Sequence, residues 1–197
     1  LFIFLSSIIG MVMASFFSVA TLWIVKDMAP RKVDKYFRKL QLVSAAVYSL
    51  SHGSNDAQKT IGIITIVLFT NKLLGDTFFV PYWVIILSHT VIALGTLFGG
   101  WKVIKTLGMR VTKLSPFGGF SAETAAGLTI IGATLGGIPV STTHTITGSI
   151  IGVGSVKGFS AVRWGVAKNI LWAWILTIPL SALFAMLTYW IATGIFG

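Results

Sequence analysis

Apolar stretches of membrane-crossing length, each closed by a short polar or charged segment, divide this chain. Residues 1–25 form the first span, ended by Lys26-Asp27, Pro30 and a basic run through Lys39. Proline and clustered charge mark the exit from an apolar helix. Residues 40–69 form a second stretch. It is too long for one straight span, which takes about 20 residues, and its middle is polar. Ser51-His52-Gly53-Ser54-Asn55-Asp56 lies there, and such residues favour turns and caps over helix interior. The pattern predicts a helix, a break near residues 52–55 and a second half-helix from Asp56. The nearly neutral residues 71–77 suit the outer face. A third span covers residues 81–100, with Trp83 and Trp101 near its ends, where aromatic belts belong.

The fourth apolar stretch, residues 120–137, stops at Gly137-Ile138-Pro139, and a second half covers residues 141–156. It forms either one broken crossing or a re-entrant hairpin that dips in and returns. Lys102, Lys105, Arg110 and Lys113 precede it; Lys157, Arg163 and Lys168 follow it. A crossing would place the second group outside, whereas a hairpin keeps both inside. The positive-inside bias therefore favours the hairpin, with its non-helical tip enclosed by protein. Residues 166–195 form the last span, tilted or kinked at Pro179. The C-terminus then lies outside.

Composition agrees. The chain is 55% hydrophobic and only 10% charged, with mean hydropathy +0.89, whereas soluble domains carry about 25% charged residues. An α-helical integral membrane protein follows, read as one transmembrane domain over residues 1–197. The net charge of +10 does not point to nucleic acid, because the cations are expected in short loops between apolar spans and no nucleic-acid motif is present. The lipid bilayer is the expected partner, with anionic head groups as secondary ligands. Cysteine is absent, which excludes disulfides and thiolate metal sites. His52, His89 and His144 do not follow a metal-motif spacing, and no cofactor is expected. The chain starts at Leu1 inside an apolar run too long for a signal-peptide core. A fragment whose beginning lies upstream is expected.

Two polar clusters carry the chemistry. In Pro139-Val140-Ser141-Thr142-Thr143-His144, proline interrupts any helix running into it, and Ser141 suits the N-cap of the next helix. That helix start offers free N–H groups and partial positive charge beside three hydroxyls. The outcome is an uncharged cradle for phosphate or a similar oxyanion. Plain helix capping is the structural alternative for these hydroxyls. His144 is a proton relay, a substrate contact or a packing residue. In the other cluster, Asp56 is the one acid in mid-span, and a buried carboxylate must be paired, protonated or bound to a cation. Asn55 adds an amide oxygen, so the pair suits Na⁺ or H⁺. A salt bridge to Lys59, three residues on, is the structural alternative. His52 and His89 are expected as satisfied core histidines, and Glu123 as an exposed or hairpin-neighbour charge. A Ser141 nucleophile with a His144 base is a weak enzymatic rival, since adjacent cap positions do not establish the required geometry.

These clusters resemble the inorganic phosphate transporter (PiT) family of sodium- or proton-coupled carriers. The resemblance rests on Ser51 through Lys59 and Pro139 through Gly148, supported by Gly119-Phe120-Ser121-Ala122-Glu123-Thr124 and Ala161-Val162-Arg163-Trp164-Gly165. Gln58-Lys59 looks like bacterial members, hence a bacterial inner membrane. The family implies an inverted-repeat carrier in which each signature occurs twice; here each occurs once, so the chain looks like a C-terminal half. The other half, or a second copy, would supply matching groups. By resemblance Ser141, Thr142 and Thr143, with Asn55, would bind phosphate. Asp56 and Asn55 would bind the coupling cation, with Ser54, Gln58, Lys59 and His144 as accessories. The implied activity is cation-coupled phosphate transport by alternating access, with sulfate as the near rival and no enzymatic activity.

Overall fold

A computed structural model describes residues 2–196. They form α1 (Phe2–Val25), α2 (Pro30–Thr70), α3 (Tyr82–Lys105), α4 (Pro116–Leu135), α5 (Thr142–Lys157) and α6 (Trp164–Phe196). A π-helical turn, Thr106–Val111, extends α3, and a 3-10 turn, Phe159–Ala161, follows α5. No strand occurs among the described residues. Among the described residues, three helical stretches are long and apolar enough to cross a membrane: Phe4–Val25, Tyr82–Val111 and Trp164–Ile195. The chain divides into two compact units, Leu1–Val162 and Arg163–Gly197. The second is essentially α6, which stays helical through Pro179.

Two expectations need correction. The second stretch is one unbroken helix of 41 residues, with no break near residues 52–55. The polar side chains that predicted a break do not turn back onto their own backbone. Those of Asn55, Asp56 and Lys59 reach across to the segment before α5 and its first turn. Ser51 alone of the cluster bonds back, donating to the Val47 carbonyl at 2.8 Å, which an α-helix tolerates. The basic segments are also helical. Pro30 opens α2 at its first turn, where its missing N–H is no loss. Residues 102–111 continue α3 into the π-helical turn.

The first unit is built on parallel and antiparallel contacts that can be read residue by residue. Phe37 of α2 packs edge-on against Phe117 and Phe120 of α4, with ring centroids 5.2 and 5.3 Å apart. Further along, Gln41 abuts Gly119, and Gly127 faces Tyr48 and Ser51. Numbers rise together, so α2 and α4 run parallel. Gly118 near the start of α4 lies against Val153 near the end of α5, so α4 and α5 form an antiparallel hairpin. Its base is tied by Thr112, whose hydroxyl donates to the Ala161 carbonyl at 3.0 Å. Beyond the hairpin, α3 covers the second half of α2 through Val84 packed on Ala57 and Ile61.

α1 and α5 also run parallel, and almost no side chain separates them. A Cβ added at Gly148 or Gly152 would strike the backbone carbonyls of Ser7 and Met11, and one at Gly10 the carbonyl of Thr145. Ser149 donates to the Gly10 carbonyl at 3.1 Å. Small residues four apart allow this approach, the usual route to helix association where lipid removes the hydrophobic drive.

Opposite outcomes are expected for two glycine substitutions. Gly152→Val overpacks the seam and lowers stability by about 2 kcal/mol or more, read as a lower thermal midpoint in detergent. Gly53→Ala meets no atom within 4 Å and sits in an unbroken helix. It should leave the midpoint unchanged or raise stability by about 0.5–1 kcal/mol; a large loss there would mean that α2 is interrupted after all.

Candidate functional site

The site begins with the way α4 ends. Gly137 takes a left-handed φ of +66°, which glycine adopts without strain. The Ile138 N–H then bonds the Ala133 carbonyl at 2.9 Å, and the Gly137 N–H bonds the Thr134 carbonyl at 3.1 Å. That pair of bonds is a Schellman stop. Pro139 follows and cannot resume the helix. Ser141 is extended (φ −92°, ψ 115°) and caps α5, its side-chain oxygen accepting the His144 backbone N–H at 3.4 Å. The predicted break and cap are therefore present. The N–H groups of Thr142 and Thr143, in the first turn, have no acceptor within the helix.

α2 holds this tip through side chains on one face. Lys59 Nζ donates to the Val140 carbonyl at 2.8 Å, and Asn55 Nδ2 donates to the same oxygen at 3.2 Å. Thr142 Oγ1 donates to Asp56 Oδ2 at 3.0 Å. His52 Nε2 lies 3.1 Å from that same Asp56 oxygen, and Lys59 Nζ lies 3.4 Å from Oδ1. Asn55 Nδ2 completes the set at 3.4 Å from Oδ1. The carboxylate thus faces four donors. Lys59 and Asp56 carry opposite charges, and the start of α5 adds the partial positive charge of a helix N-terminus, about half a unit.

A cavity of about 290 Å³ opens here, lined by Asp56, Lys59, Pro139, Val140, Ser141, Thr142 and Thr143. Ser141 and Asp56, 85 residues apart in sequence, border one hollow. Thr142 is buried and its hydrogen goes to Asp56, so its hydroxyl offers lone pairs toward further ligands. Ser141 accepts the cap bond and keeps its hydrogen to donate. Thr143 is exposed at the cavity wall. Asn55 is buried behind the wall, its amide N–H₂ committed to Val140. Ser54 and Gln58 are exposed and do not line the cavity. His144 is buried within α5. The partner of Ser141 is the backbone of His144 rather than its ring, which removes the geometry a Ser–His nucleophile pair needs.

Two sequence expectations change, those for His52 and His89. The Asp56–Lys59 pair forms, and Lys59 also donates to the Val140 carbonyl of the tip. His52 is not a core histidine; it is about one-third exposed and pairs with Asp56. Its spacing four residues before Asp56 was the available signal. His89 is exposed, with Nδ1 2.9 Å from the Ile85 carbonyl. Glu123 belongs to the hairpin yet is half-buried, accepting the Ser44 hydroxyl at 2.6 Å. Sequence carried no sign of that contact, which joins residues 79 apart. Among the described residues, no group of three or more His, Cys, Asp or Glu is placed to hold a metal ion.

Residues 1–185 match the profile of the Phosphate transporter family. The chain is 53% identical over 184 residues to the probable low-affinity inorganic phosphate transporter of Rhizobium meliloti (strain 1021), covering 93% of this chain and 55% of that protein. It is 43% identical over 192 residues to the probable low-affinity inorganic phosphate transporter of Bacillus subtilis (strain 168), covering 98% and 58%. A solved structure described as the sodium-dependent phosphate transporter superposes with a TM-score of 0.71 at 26% identity, covering 95% of this chain and 57% of that one. The chain spans a little over half the length of these relatives. The family and its named members are transporters, not enzymes. Matched over nearly all of its sequence and by its helical architecture, the chain belongs to the phosphate transporter family.

Proposed function

We propose that this chain is the C-terminal half of an inverted-repeat carrier that moves inorganic phosphate across a bacterial inner membrane together with a cation. The observation that carries the proposal is a cavity bounded by the start of α5 on one side and Asp56 on the other. Phosphate would sit on the bare first-turn N–H groups of Thr142 and Thr143, with the Ser141 and Thr143 hydroxyls donating to its oxygens. Among the described residues, no fixed cation but Lys59 borders the cavity, and Lys59 is shared with Asp56 and the Val140 carbonyl. Such a cradle holds an oxyanion and still releases it.

The escorting cation would be held by Asp56, with the lone pairs of Thr142 Oγ1 and the amide oxygen of Asn55 within the same neighbourhood. Na⁺ fits hard oxygen donors, and H⁺ on Asp56 is the alternative. The relative described as sodium-dependent supports the first. An anion entering against an inside-negative potential requires a positive companion in either case.

In this proposal α4 and α5 form a re-entrant hairpin. α5 has 16 residues, about 24 Å at 1.5 Å per residue, short of the roughly 30 Å hydrocarbon. Its tip would thus reach deep into the bilayer without crossing. The other half, or a second copy, would close the open side of the cavity. Alternating access would follow from rocking one half against the other around the fixed site.

Three results are expected when [33P]phosphate uptake is measured in proteoliposomes of the carrier that contains this chain. Asp56→Asn abolishes the dependence of uptake on the cation gradient and lowers the rate at least tenfold. Ser141→Ala/Thr142→Ala weakens phosphate binding about tenfold or more, at roughly 1.4 kcal/mol per factor of ten, with insertion unchanged. Uptake follows an imposed Na⁺ gradient, and a pH gradient alone does not drive it. Wild-type uptake in both variants would remove the site assignment, and stronger competition by sulfate than by phosphate would reassign the substrate.

A further inference from the structure

The first turns of α2 form an amphipathic face that the phosphate site does not use. At about 100° per residue, Arg31, Lys32, Lys35, Arg38 and Lys39 fall within an arc of roughly 120° on the helix surface. All five are exposed. Val33, Tyr36, Phe37 and Leu40 occupy the remaining side by the same projection. Asp34 lies beyond one edge of the arc, one negative charge against five positive.

This segment is anchored at one end of the first unit. Phe37 is buried against Phe117 and Phe120, which belong to the first turns of α4. Lys113 stands just before α4, and Lys157, the last residue of α5, donates to its carbonyl at 3.3 Å. The start of α2 and the base of the hairpin therefore gather seven cations at one end. Lys72, at the far end of α2, follows about 40 residues away along a single helix, roughly 60 Å at 1.5 Å per residue.

Exposed apolar side chains continue directly from the basic arc. Leu42 is 73% exposed and Val43 62%, and Tyr36, 57% exposed, flanks the arc. An aromatic hydroxyl and long basic stems next to an exposed aliphatic surface are the makeup of a helix at head-group depth. A nucleic acid would find no use for the aliphatic flank, whereas a phospholipid meets both parts.

We propose that the arc Arg31-Lys32-Lys35-Arg38-Lys39 binds the phosphate of anionic glycerophospholipids, whose acyl chains lie along Leu42 and Val43. The bound lipid pins the start of α2, and through Phe37 the base of the hairpin, at a fixed depth. This inference needs the membrane but not the phosphate-carrier reading, and its test does not measure transport.

The full-length protein is delipidated in neutral detergent, and its thermal midpoint is followed as phosphatidylglycerol or phosphatidylcholine is added in mixed micelles. Phosphatidylglycerol should raise the midpoint by several degrees and phosphatidylcholine should not. Lys32→Gln/Lys35→Gln/Lys39→Gln should lose most of that rise, with the apparent lipid affinity falling about fivefold for each cation removed. Its midpoint in phosphatidylcholine should match the parent, which shows that the variant folds. Lys72→Gln should respond like the parent. An undiminished phosphatidylglycerol response in the triple variant would overturn the proposal. So would an equal rise produced by inorganic phosphate at matched concentration, because the arc would then be a site for the free anion.

Discussion

One carbonyl oxygen organises the centre of the first unit. The Val140 carbonyl lies between the stop of α4 and the cap of α5, outside any helical hydrogen-bond ladder. Buried and left bare, such a group costs about 1–3 kcal/mol. Asn55 and Lys59 both donate to it, and those donors sit one turn apart on α2. Asp56, between them in sequence, accepts Thr142. The need to satisfy a broken backbone therefore dictates which residues of α2 face the tip, and the same residues surround the cavity. The residues that satisfy the broken backbone are thus also the ones that border the cavity.

Much of this was legible in the sequence because it is local. Gly137 and Pro139 stop a helix, and Ser141 starts one, through backbone geometry that a few neighbouring residues decide. The apolar lengths of α1, α3 and α6 follow from composition alone. The error at residues 52–55 shows where local rules fail. Ser, Asn and Asp break helices when their side chains compete for the adjacent backbone, but a partner carbonyl 85 residues away removes the competition. Ser44 and Glu123 were illegible for the same reason, since their bond exists only once α2 and α4 lie parallel. His52 is the intermediate case. Its spacing from Asp56 was visible, and only the assumption of a buried core hid the pairing.

The two walls of the cavity are held in different ways. α2 is joined to the tip mainly by side-chain donors on flexible stems. α5 is joined to α1 by backbone pressed on backbone, with Gly148 and Gly152 against the carbonyls of Ser7 and Met11. Charge balance follows the same division. The α2 wall brings a cation and an anion, whereas the α5 wall brings only peptide dipoles and hydroxyls.

Such a glycine seam has no slack. Sliding α5 along α1 by a single residue would drive methylene and methyl groups into peptide oxygens, so the two helices travel as one solid piece. Side-chain links, by contrast, can be dropped and remade one at a time. The lysine and carboxamide that join α2 to the tip are links of this second kind.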